Sequence, residues 1–308
     1  MSNTKIQHEE AFAQYMIIKG HAPATRTGKI NAVQKFMQWL EEQNMDELQV
    51  RYNDILAYVK TCKQKGNKPR TQQMQVEALK IYYDHLIALE TLRENPCGGI
   101  AIKGATRRTL YHTFSSEELE TLYKKYVNYL ENIKDGIGTH ATGKRNKIMT
   151  GLIFFQGLLC DELEMLTVHH VQLREGKITI PAGRKSNERE LKLEPHQIYD
   201  MMDYVNETRK GILFFTGKKT DQLFLSFGTG ERFSNMTHKI LKQLHRIEPE
   251  LKNLKHIRAS VIANWLKVHD TRKVQYMAGH RYVSSTESYK ANNIEDLITD
   301  VERYHPDI

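Results

Sequence analysis

Two residues near the C-terminus, His280 and Tyr289, lie nine positions apart in the stretch AGHRYVSSTESYK. The tyrosine belongs to a segment rich in Ser and Thr, and a phenol that serves as a nucleophile needs a cation beside it and a segment that can move. A free phenol has a pKa of about 10, so nearby positive charge must favour its ionised form. A lone tyrosine is usually a packing residue, and this interpretation therefore depends on partners elsewhere in the chain.

Further donors open a predicted helix in KHIRASVIANWL, where Lys255, His256 and Arg258 precede an apolar-periodic run. A buried helix that begins with several donors indicates a bound ligand. The next predicted helix, TRKVQYMAG, ends at Gly279, a typical C-terminal cap that comes directly before His280. We therefore expect Arg258 and His280 to face one pocket.

The charge balance is compatible with a polyanionic partner without requiring one. The 45 Lys and Arg residues exceed the 37 Asp and Glu residues, which gives a net charge of +8. Basic clusters occur in KTCKQKGNKPR, IKGATRR and KHIR. An ordinary solvated surface accounts for any one of these clusters, but together with the donors above they favour a nucleic acid.

Several classes of protein are disfavoured. No apolar run approaches the roughly 18 residues that a membrane span needs, and MSNTKIQHEE lacks a secretory signal. Cys62, Cys97 and Cys160 fit neither a disulfide framework nor a zinc motif, and no tight metal-ligand spacing such as HExxH occurs. We expect a cytoplasmic protein, associated with the nucleoid, that needs no metal or cofactor and contacts no membrane.

The length of 308 residues favours two domains. Residues 1–97 are predicted to form a helical bundle, because four segments carry apolar residues at three- and four-residue spacing. Pro23 and Thr25 are start signals for the second of these helices. The four apolar stripes include, in order, Phe12, Tyr15 and Met16; Ile30, Val33, Phe36, Met37 and Leu40; Tyr52, Ile55, Leu56 and Val59; and Val76, Leu79, Tyr82, Tyr83 and Leu86.

Residues 98–112 have the composition of a basic interdomain linker, and residues 113–308 are predicted to form the second domain. Ser115 and Glu118 form a capping box at the start of its first helix. The stretch KITIPAGRKSNERELKL predicts two short strands around a polar turn, and QLFLSF, from Gln222, predicts a third. The remainder is predicted to be helical, so this domain is mostly helix with a small sheet.

With these motifs in order, the chain resembles the tyrosine recombinase, or phage-integrase-like, family of site-specific DNA recombinases. HAPATRTGKINAVQKFMQWL and the NP of ENPCGGI resemble the family's first domain, and FQGLLCDELEMLTVHHV, GRKSNERELKL, KHIRAS, AGH and the Tyr289 segment resemble successive motifs of the second. The resemblance implies a mainly α fold. It comprises an N-terminal four-helix, SAM-like core-binding bundle and a mostly helical catalytic domain with a small antiparallel sheet, in a two-domain clamp around double-stranded DNA.

The resemblance also implies catalytic roles. The family's nucleophile falls on Tyr289, its second arginine on Arg258 and its late histidine on His280. Lys255 stands where a histidine is expected and can still donate to a phosphate oxygen. In the hairpin turn Arg184 lies at the place of the family's lysine, but the adjacent Lys185 is our predicted general acid.

One departure is serious, because GLLCDEL places Leu159 where the family has its first catalytic arginine. Losing one preorganised donor costs on the order of 10² to 10³ in rate. Candidate replacements are Lys144, Arg145, Lys147 and Arg174. Two functions therefore stay open: an active recombinase with a rewired site, and a catalytically impaired DNA-binding relative with an accessory or regulatory role.

Contacts with DNA are predicted at polar and basic positions of both domains and of the linker. KTCKQKGNKPR directly precedes the fourth helix, which is predicted to begin near Thr71, and Arg70, Thr71, Gln72 and Gln75 are expected to point outward together. The predicted contact residues are Arg26, Lys29, Lys68, Arg70, Thr71, Gln72, Gln75, Lys103, Arg107, Arg108 and Arg184.

The resemblance implies a DNA strand transferase that forms a 3′-phosphotyrosyl intermediate for a mobile genetic element, as a homo-oligomer that becomes a synaptic tetramer on DNA. Accessory DNA-bending proteins are further expected partners. Ile294, Leu297, Ile298 and Val301 have helical spacing, with Asn293 as a cap. This C-terminal helix either packs on its own domain or, as the resemblance implies, is exchanged between protomers.

Overall fold

The computed structural model describes residues 2–105, 113–133, 137–184, 186–228 and 232–290. The chain divides into two compact units, Met1–Thr109 and Leu110–Ile308. Among the described residues, no helix combines the length and the apolar character needed to cross a bilayer. Each unit is built around its own buried apolar cluster.

The first unit is helical, as its apolar periodicity predicts. Its α-helices are α1 (Ser2–Ile18), α2 (Pro23–Glu42), α3 (Tyr52–Gln64) and α4 (Pro69–Ala88), with a 3-10 turn at Glu47–Gln49. Proline occupies the first turn of α2 and of α4, where its missing N–H leaves no hydrogen bond unmade. Helix α2 therefore begins where the sequence predicts, and α4 begins two residues before its predicted start near Thr71.

Helix α4 is covered on two sides, because α2 and α3 both pack against it. Val76, Leu79 and Tyr83 form its core stripe, and the stripe extends toward the start of the helix through Gln72 and Gln75, which are also buried. The amide of Gln72 donates to the carbonyl of Asn67 over 2.7 Å. The prediction that Gln72 and Gln75 point outward is therefore wrong.

The second unit holds the remaining elements. Its helices are α5 (Ser116–Glu131), α6 (Ile137–Gln156), α7 (Cys160–Met165), α8 (Pro195–Asp203), α9 (Arg209–Thr216), α10 (Phe233–Ile247), α11 (Leu254–Val268), α12 (Thr271–Ala278) and α13 (Val283–Glu287), with a 3-10 turn at Val168–His170 and a π-helical turn at Tyr204–Thr208. Its strands are β1 (Val171–Gln172), β2 (Lys177–Ile180) and β3 (Arg189–Lys192).

The predicted capping box starts α5. The backbone N–H of Ser115 donates to the Glu118 carboxylate over 2.7 Å, and the N–H of Glu118 donates to the Ser115 hydroxyl over 3.2 Å. Two of the unpaired donors at this helix start are thereby satisfied. Helix α5 then packs on α6, and α6 packs on α11, so the helix with the KHIR motif lies in the core of the unit.

The sheet is antiparallel, with strand order β1-β2-β3. Ile178 pairs with Val171 on one side and with Leu191 on the other, which confirms the hairpin predicted from KITI and RELK. The prediction of a strand at QLFLSF is wrong. The carbonyls of Leu223 and Leu225 accept from the side chains of Tyr204 and Arg145, so this buried segment makes only one isolated bridge, at Gln222.

Candidate active site

Arg258 lies near the start of α11 and is almost fully buried, with 4% of its surface exposed. The Asn253 side chain caps this helix by accepting from the N–H of His256 over 3.0 Å. The Arg258 guanidinium donates to the carbonyl of Gly157, just after α6, and to that of Ala278, the last residue of α12, over 2.6 Å. Carbonyls at helix ends lack intrahelical partners, so one guanidinium joins three helices at this point.

The carboxylate of Glu162, in α7, lies against Arg258. Its Oε2 is 3.5 Å from Nη1 of Arg258 and accepts from the N–H of Leu159 over 2.8 Å. Burial acts to raise the pKa of Glu162. Hydrogen bonds and charge from Arg189, together with the charge of Arg258, outweigh that effect and hold the pKa below its usual value. Glu162 is therefore a buried anion.

Arg189 was not predicted to belong to the site. It begins β3 with its side chain fully buried, and its two Nη atoms donate to the two oxygens of Glu162 over 2.9 and 3.1 Å. Its Nε donates to the carbonyl of Met277 over 2.8 Å. The parallel pair of hydrogen bonds is the strong geometry for a guanidinium and a carboxylate.

His280 follows Gly279, which has a left-handed φ of 68° as the predicted helix cap requires. Its Nε2 lies 3.4 Å from Nη2 of Arg258, and its Nδ1 lies 2.9 Å from the hydroxyl of Thr286. A guanidinium can only donate, which assigns Nε2 as an acceptor and Nδ1 as protonated. Burial, followed by the positive charges of Arg258 and Arg189, lowers the pKa of His280 to about 4. The imidazole is therefore neutral at neutral pH.

Tyr289 lies within the same group of side chains. Its ring is parallel to that of His280, with centroids 5.8 Å apart and an interplanar angle of 9°. Its hydroxyl interacts with Arg258. Burial lowers the pKa of Arg258, whereas the Glu162 carboxylate and a side-chain hydrogen bond with Tyr289 act to raise it. The structure thus brings together the three residues that the sequence singled out.

The hairpin turn between β2 and β3 packs on the same segment. The N–H of Asn187 donates to the carbonyl of Gly279 over 2.9 Å, and Ser186 forms an isolated bridge with His280. Arg281 donates to the carbonyl of Gly183 over 3.0 Å. Arg184 is exposed, and Lys185 lies outside the described residues.

Lys255 is exposed one helical turn before Arg258. Burial is the main influence on the thiol of Cys160 and raises its pKa, while the charge of Lys255 acts in the opposite direction. Leu159, the residue before Cys160, is half-buried at the start of α7.

The cations proposed to replace the missing arginine are tied to other groups or exposed. Lys144 pairs with Asp203 at 2.8 Å, and Lys147 pairs with Asp200 at 2.9 Å. Arg145 is buried and donates to the carbonyl of Leu225 over 2.6 Å, and Arg174 is exposed.

The predicted DNA-contacting residues of the first unit differ in exposure. Lys68, Thr71 and Lys103 are exposed, and Arg70 is half-buried. The other half-buried cations are Arg26, which donates to the carbonyl of His21 over 2.9 Å, and Lys29, whose pKa burial lowers. Arg107 and Arg108 lie outside the described residues.

Nowhere in the described part of the chain do three or more His, Cys, Asp or Glu side chains come together in a group that could hold a metal ion. The candidate site instead consists of guanidinium groups, a carboxylate, an imidazole and a phenol. Such a set can hold an anion and carry out nucleophilic attack.

Comparison with known proteins gives consistent matches. The model of the phage integrase family matches residues 114–296, and that of the phage integrase N-terminal SAM-like domain matches residues 9–91. Tyrosine recombinase XerC of Bacillus subtilis (strain 168) is 23% identical, over 99% of this chain and 98% of that protein.

Solved structures share the fold. XerH site-specific recombinase, in a post-cleavage complex with palindromic difH substrate, gives a TM-score of 0.69 at 16% identity, over 91% of this chain and 79% of that chain. A lambda integrase tetramer bound to a Holliday junction gives 0.66 at 10% identity, over 92% of this chain and 77% of that one. The predicted mainly α fold, with a SAM-like domain and a mostly helical domain carrying a small sheet, is confirmed.

Proposed function

The chain belongs to the phage integrase family of tyrosine recombinases, which carry out site-specific recombination, and we propose that Tyr289 is the nucleophile with which it cleaves and rejoins DNA. The observation that carries this proposal is the position of the Tyr289 ring, which is parallel to that of His280, whose Nε2 lies 3.4 Å from Nη2 of Arg258. A phosphate held by these two side chains would lie within reach of the phenol.

The first step is attack on a phosphodiester. The Tyr289 oxygen forms a bond to phosphorus and releases its proton to water, and the bond from phosphorus to the 5′ oxygen breaks. Negative charge develops on the non-bridging oxygens, where fixed cationic donors stabilise the transition state most. Arg258 is that donor, because burial strengthens its interaction with an anion.

His280 acts as a neutral imidazole. Because its pKa is about 4, the imidazole is uncharged at neutral pH. It therefore does not compete with Arg258 for the Glu162 carboxylate, and it adds no positive charge beside the phosphate. Because Nδ1 is committed to Thr286, Nε2 is the ring atom that faces Arg258. His280 therefore orients Arg258 and the phenol ring against which it stacks.

The leaving 5′ oxygen needs a proton, and we assign Lys185 as its donor. Support comes from residues close to it in the hairpin turn. The carbonyl of Gly183 accepts from Arg281, and Ser186 forms an isolated bridge with His280. Lys255, exposed on the same helix as Arg258, is assigned to a phosphate oxygen. The resulting 3′-phosphotyrosyl ester retains the bond energy, so a 5′ hydroxyl from another duplex can reverse the step without ATP.

A second function rests on Leu159, which supplies no donor where the family has its first catalytic arginine. A protein weakened in this way could bind DNA as an accessory or regulatory relative without cutting it. A nicked suicide substrate distinguishes the two, because cleavage traps protein on DNA. If the protein is an active recombinase, we expect a covalent complex that is lost in Tyr289→Phe. The complex should still form in Tyr282→Phe, a control at an exposed tyrosine seven residues earlier. A wild-type protein that binds specific DNA without forming the complex supports the accessory role.

The partner proposed is double-stranded DNA, on which the protein assembles as a homo-oligomer and forms a synaptic tetramer. The lambda integrase tetramer on a Holliday junction supports this by fold. The helix predicted at residues 293–301 lies outside the described residues, and its exchange between protomers is part of the proposal. We further propose that the protein acts for a mobile genetic element, works with accessory DNA-bending proteins and associates with the nucleoid.

A further inference from the structure

Arg189 occupies an unusual position for a strand arginine. Its side chain has no exposed surface, and its guanidinium makes two hydrogen bonds to Glu162 and a third to the carbonyl of Met277. A residue with these contacts cannot touch DNA itself. It can act only through the groups that it holds.

We propose that Arg189 is a positioning residue that neutralises Glu162 and so leaves the positive charge of Arg258 free for the scissile phosphate. The proposal rests on the proposed function of Arg258 and extends it to a residue that does not contact the substrate. It also supplies a reason why the chain can carry Leu159 at its critical position.

The first argument is a charge balance. Glu162 lies 3.5 Å from Arg258, so with Arg258 alone the buried pair would be neutral and would attract no anion. Arg189 adds a second cation on the same carboxylate, and the three groups together carry one net positive charge. Leu159 contributes none. The charge of this buried group therefore depends on Arg189, and buried charges interact strongly because little water screens them.

The second argument is geometric. Arg189 donates both Nη hydrogen bonds to Glu162, whose Oε2 stays within reach of Arg258. A carboxylate that lost this fork would be free to turn toward Arg258, its nearest remaining cation. Arg258 would then be held by an anion at the place where it should meet a phosphate.

The third argument concerns the turn that carries His280. The Arg189 guanidinium lies directly over Gly279, where an added Cβ atom would collide with Nη1. Together with the hydrogen bond to Met277, this contact fixes the end of α12 against β3. Arg189 thus holds two neighbours of the proposed nucleophile in place, one by charge and one by contact.

The test is a double-mutant cycle measured as the rate of covalent complex formation on a nicked substrate, with DNA affinity measured separately. Arg189→Met keeps an unbranched, flexible side chain and removes its charge. We expect it to lower the rate by on the order of 10²-fold, with DNA affinity almost unchanged. Arg189→Lys keeps the charge without the fork and should fall between this variant and the wild type.

The decisive variant combines Arg189→Met with Glu162→Gln. Removing the carboxylate as well leaves Arg258 uncompensated again, so the double variant should recover at least about 10-fold of the loss in the rate per folded molecule at saturating DNA. A purely structural role of Arg189 would restore the folded fraction but not this rate. Replacing both members of a buried ion pair also avoids the unpaired charge that makes single variants unstable. If Arg189→Met folds too poorly for a rate to be measured, the double variant is compared with the wild type and with Glu162→Gln, and a folded double variant at least about 10²-fold slower than both overturns the inference.

The outcomes separate two failures. A wild-type protein that forms no Tyr289-dependent complex overturns the proposed function, and this inference with it. A wild-type protein that forms the complex, together with a folded double variant no faster than Arg189→Met, overturns the inference alone. Full activity of Arg189→Met would do the same.

Discussion

The rings of His280 and Tyr289 lie parallel, with centroids 5.8 Å apart and planes inclined by 9°. The two residues are joined by the short helix α13, whose Thr286 accepts the His280 Nδ1 hydrogen and contributes the carbonyl to which the N–H of Tyr289 donates over 3.1 Å. The nine-residue spacing is therefore the length of chain needed to turn back and place a phenol on an imidazole.

The lowered pKa of His280 predicts a pH-dependent loss of stability. An unfolded histidine titrates near 6.5, whereas His280 in the folded protein titrates near 4. Between these values the unfolded state binds a proton that the folded state does not, so stability falls as the pH is lowered through this window. Urea unfolding of wild type and His280→Gln between pH 7.5 and about 4.5 should show the smaller loss in the variant.

A matched control for that experiment is His238→Gln, on the exposed side of α10 in the same unit. It should lose stability with falling pH as the wild type does. An equal pH dependence in wild type and His280→Gln would show that the imidazole is not held neutral by burial and by its two arginine neighbours.

The contact between Gly279 and the Arg189 guanidinium predicts an extra loss of stability when Gly279 is replaced by alanine. Gly279 and Gly217 both end helices with a left-handed φ, of 68° and 67°, so alanine at either position strains the backbone by about 1–2 kcal/mol. Of these two glycines, Gly279 is the one at which an added Cβ would also collide with Arg189. At Gly217 no other atom lies within 4 Å of the added Cβ. Gly279→Ala should therefore lower the free energy of unfolding by more than Gly217→Ala. Equal losses in urea unfolding would contradict the contact.

Leu159→Arg tests how far the site depends on the missing donor. Leu159 is half-buried and its backbone N–H donates to Glu162, so an arginine there could extend to the phosphate. We expect cleavage to rise by on the order of 10-fold, less than the 10² to 10³ of a preorganised donor, because Arg189 already occupies the carboxylate that would orient it. Leu159→Met is the neutral control, and single-turnover cleavage is the measurement. An unchanged or lower rate would indicate a rewired pocket.

The exposed cation Lys68 predicts a phosphate contact of the first unit. Each phosphate contact contributes about 0.9 to the slope of log affinity against log salt concentration on duplex DNA. Lys68→Ala should therefore reduce that slope by about one contact, whereas Lys80→Ala, an exposed control further along α4, should leave it unchanged. A slope that responds equally to both substitutions would remove Lys68 from the interface.

The helices were predictable because each pairs one apolar stripe with clear end signals. Pro23 begins α2, and Ser115 with Glu118 begins α5. Prediction failed where tertiary contacts override local pattern. Gln72 and Gln75 were predicted to face outward because they are polar. A helix that is covered on two sides buries polar positions as well as apolar ones, and both residues are buried.

The segment QLFLSF failed for another reason, because its alternation resembles a strand while its carbonyls bind side chains that are distant in sequence. Arg189 was missed although a signal existed. It is in phase with Leu191 on the inward face of β3, and a buried arginine needs a buried carboxylate, which Glu162 supplies. Periodicity predicts that such a residue faces inward, but only the folded chain shows which carboxylate it meets.

The central claim is that Tyr289 bonds to DNA. It is tested most directly by trapping the protein on a nicked substrate, digesting the complex with protease and identifying the nucleotide-bearing peptide by mass spectrometry. The expected result is a 3′-phosphate ester on Tyr289, with Tyr276 and Tyr282 on the adjoining segment unmodified. A phosphodiester on any other residue, or no covalent peptide from a protein that binds its specific site, would contradict the account.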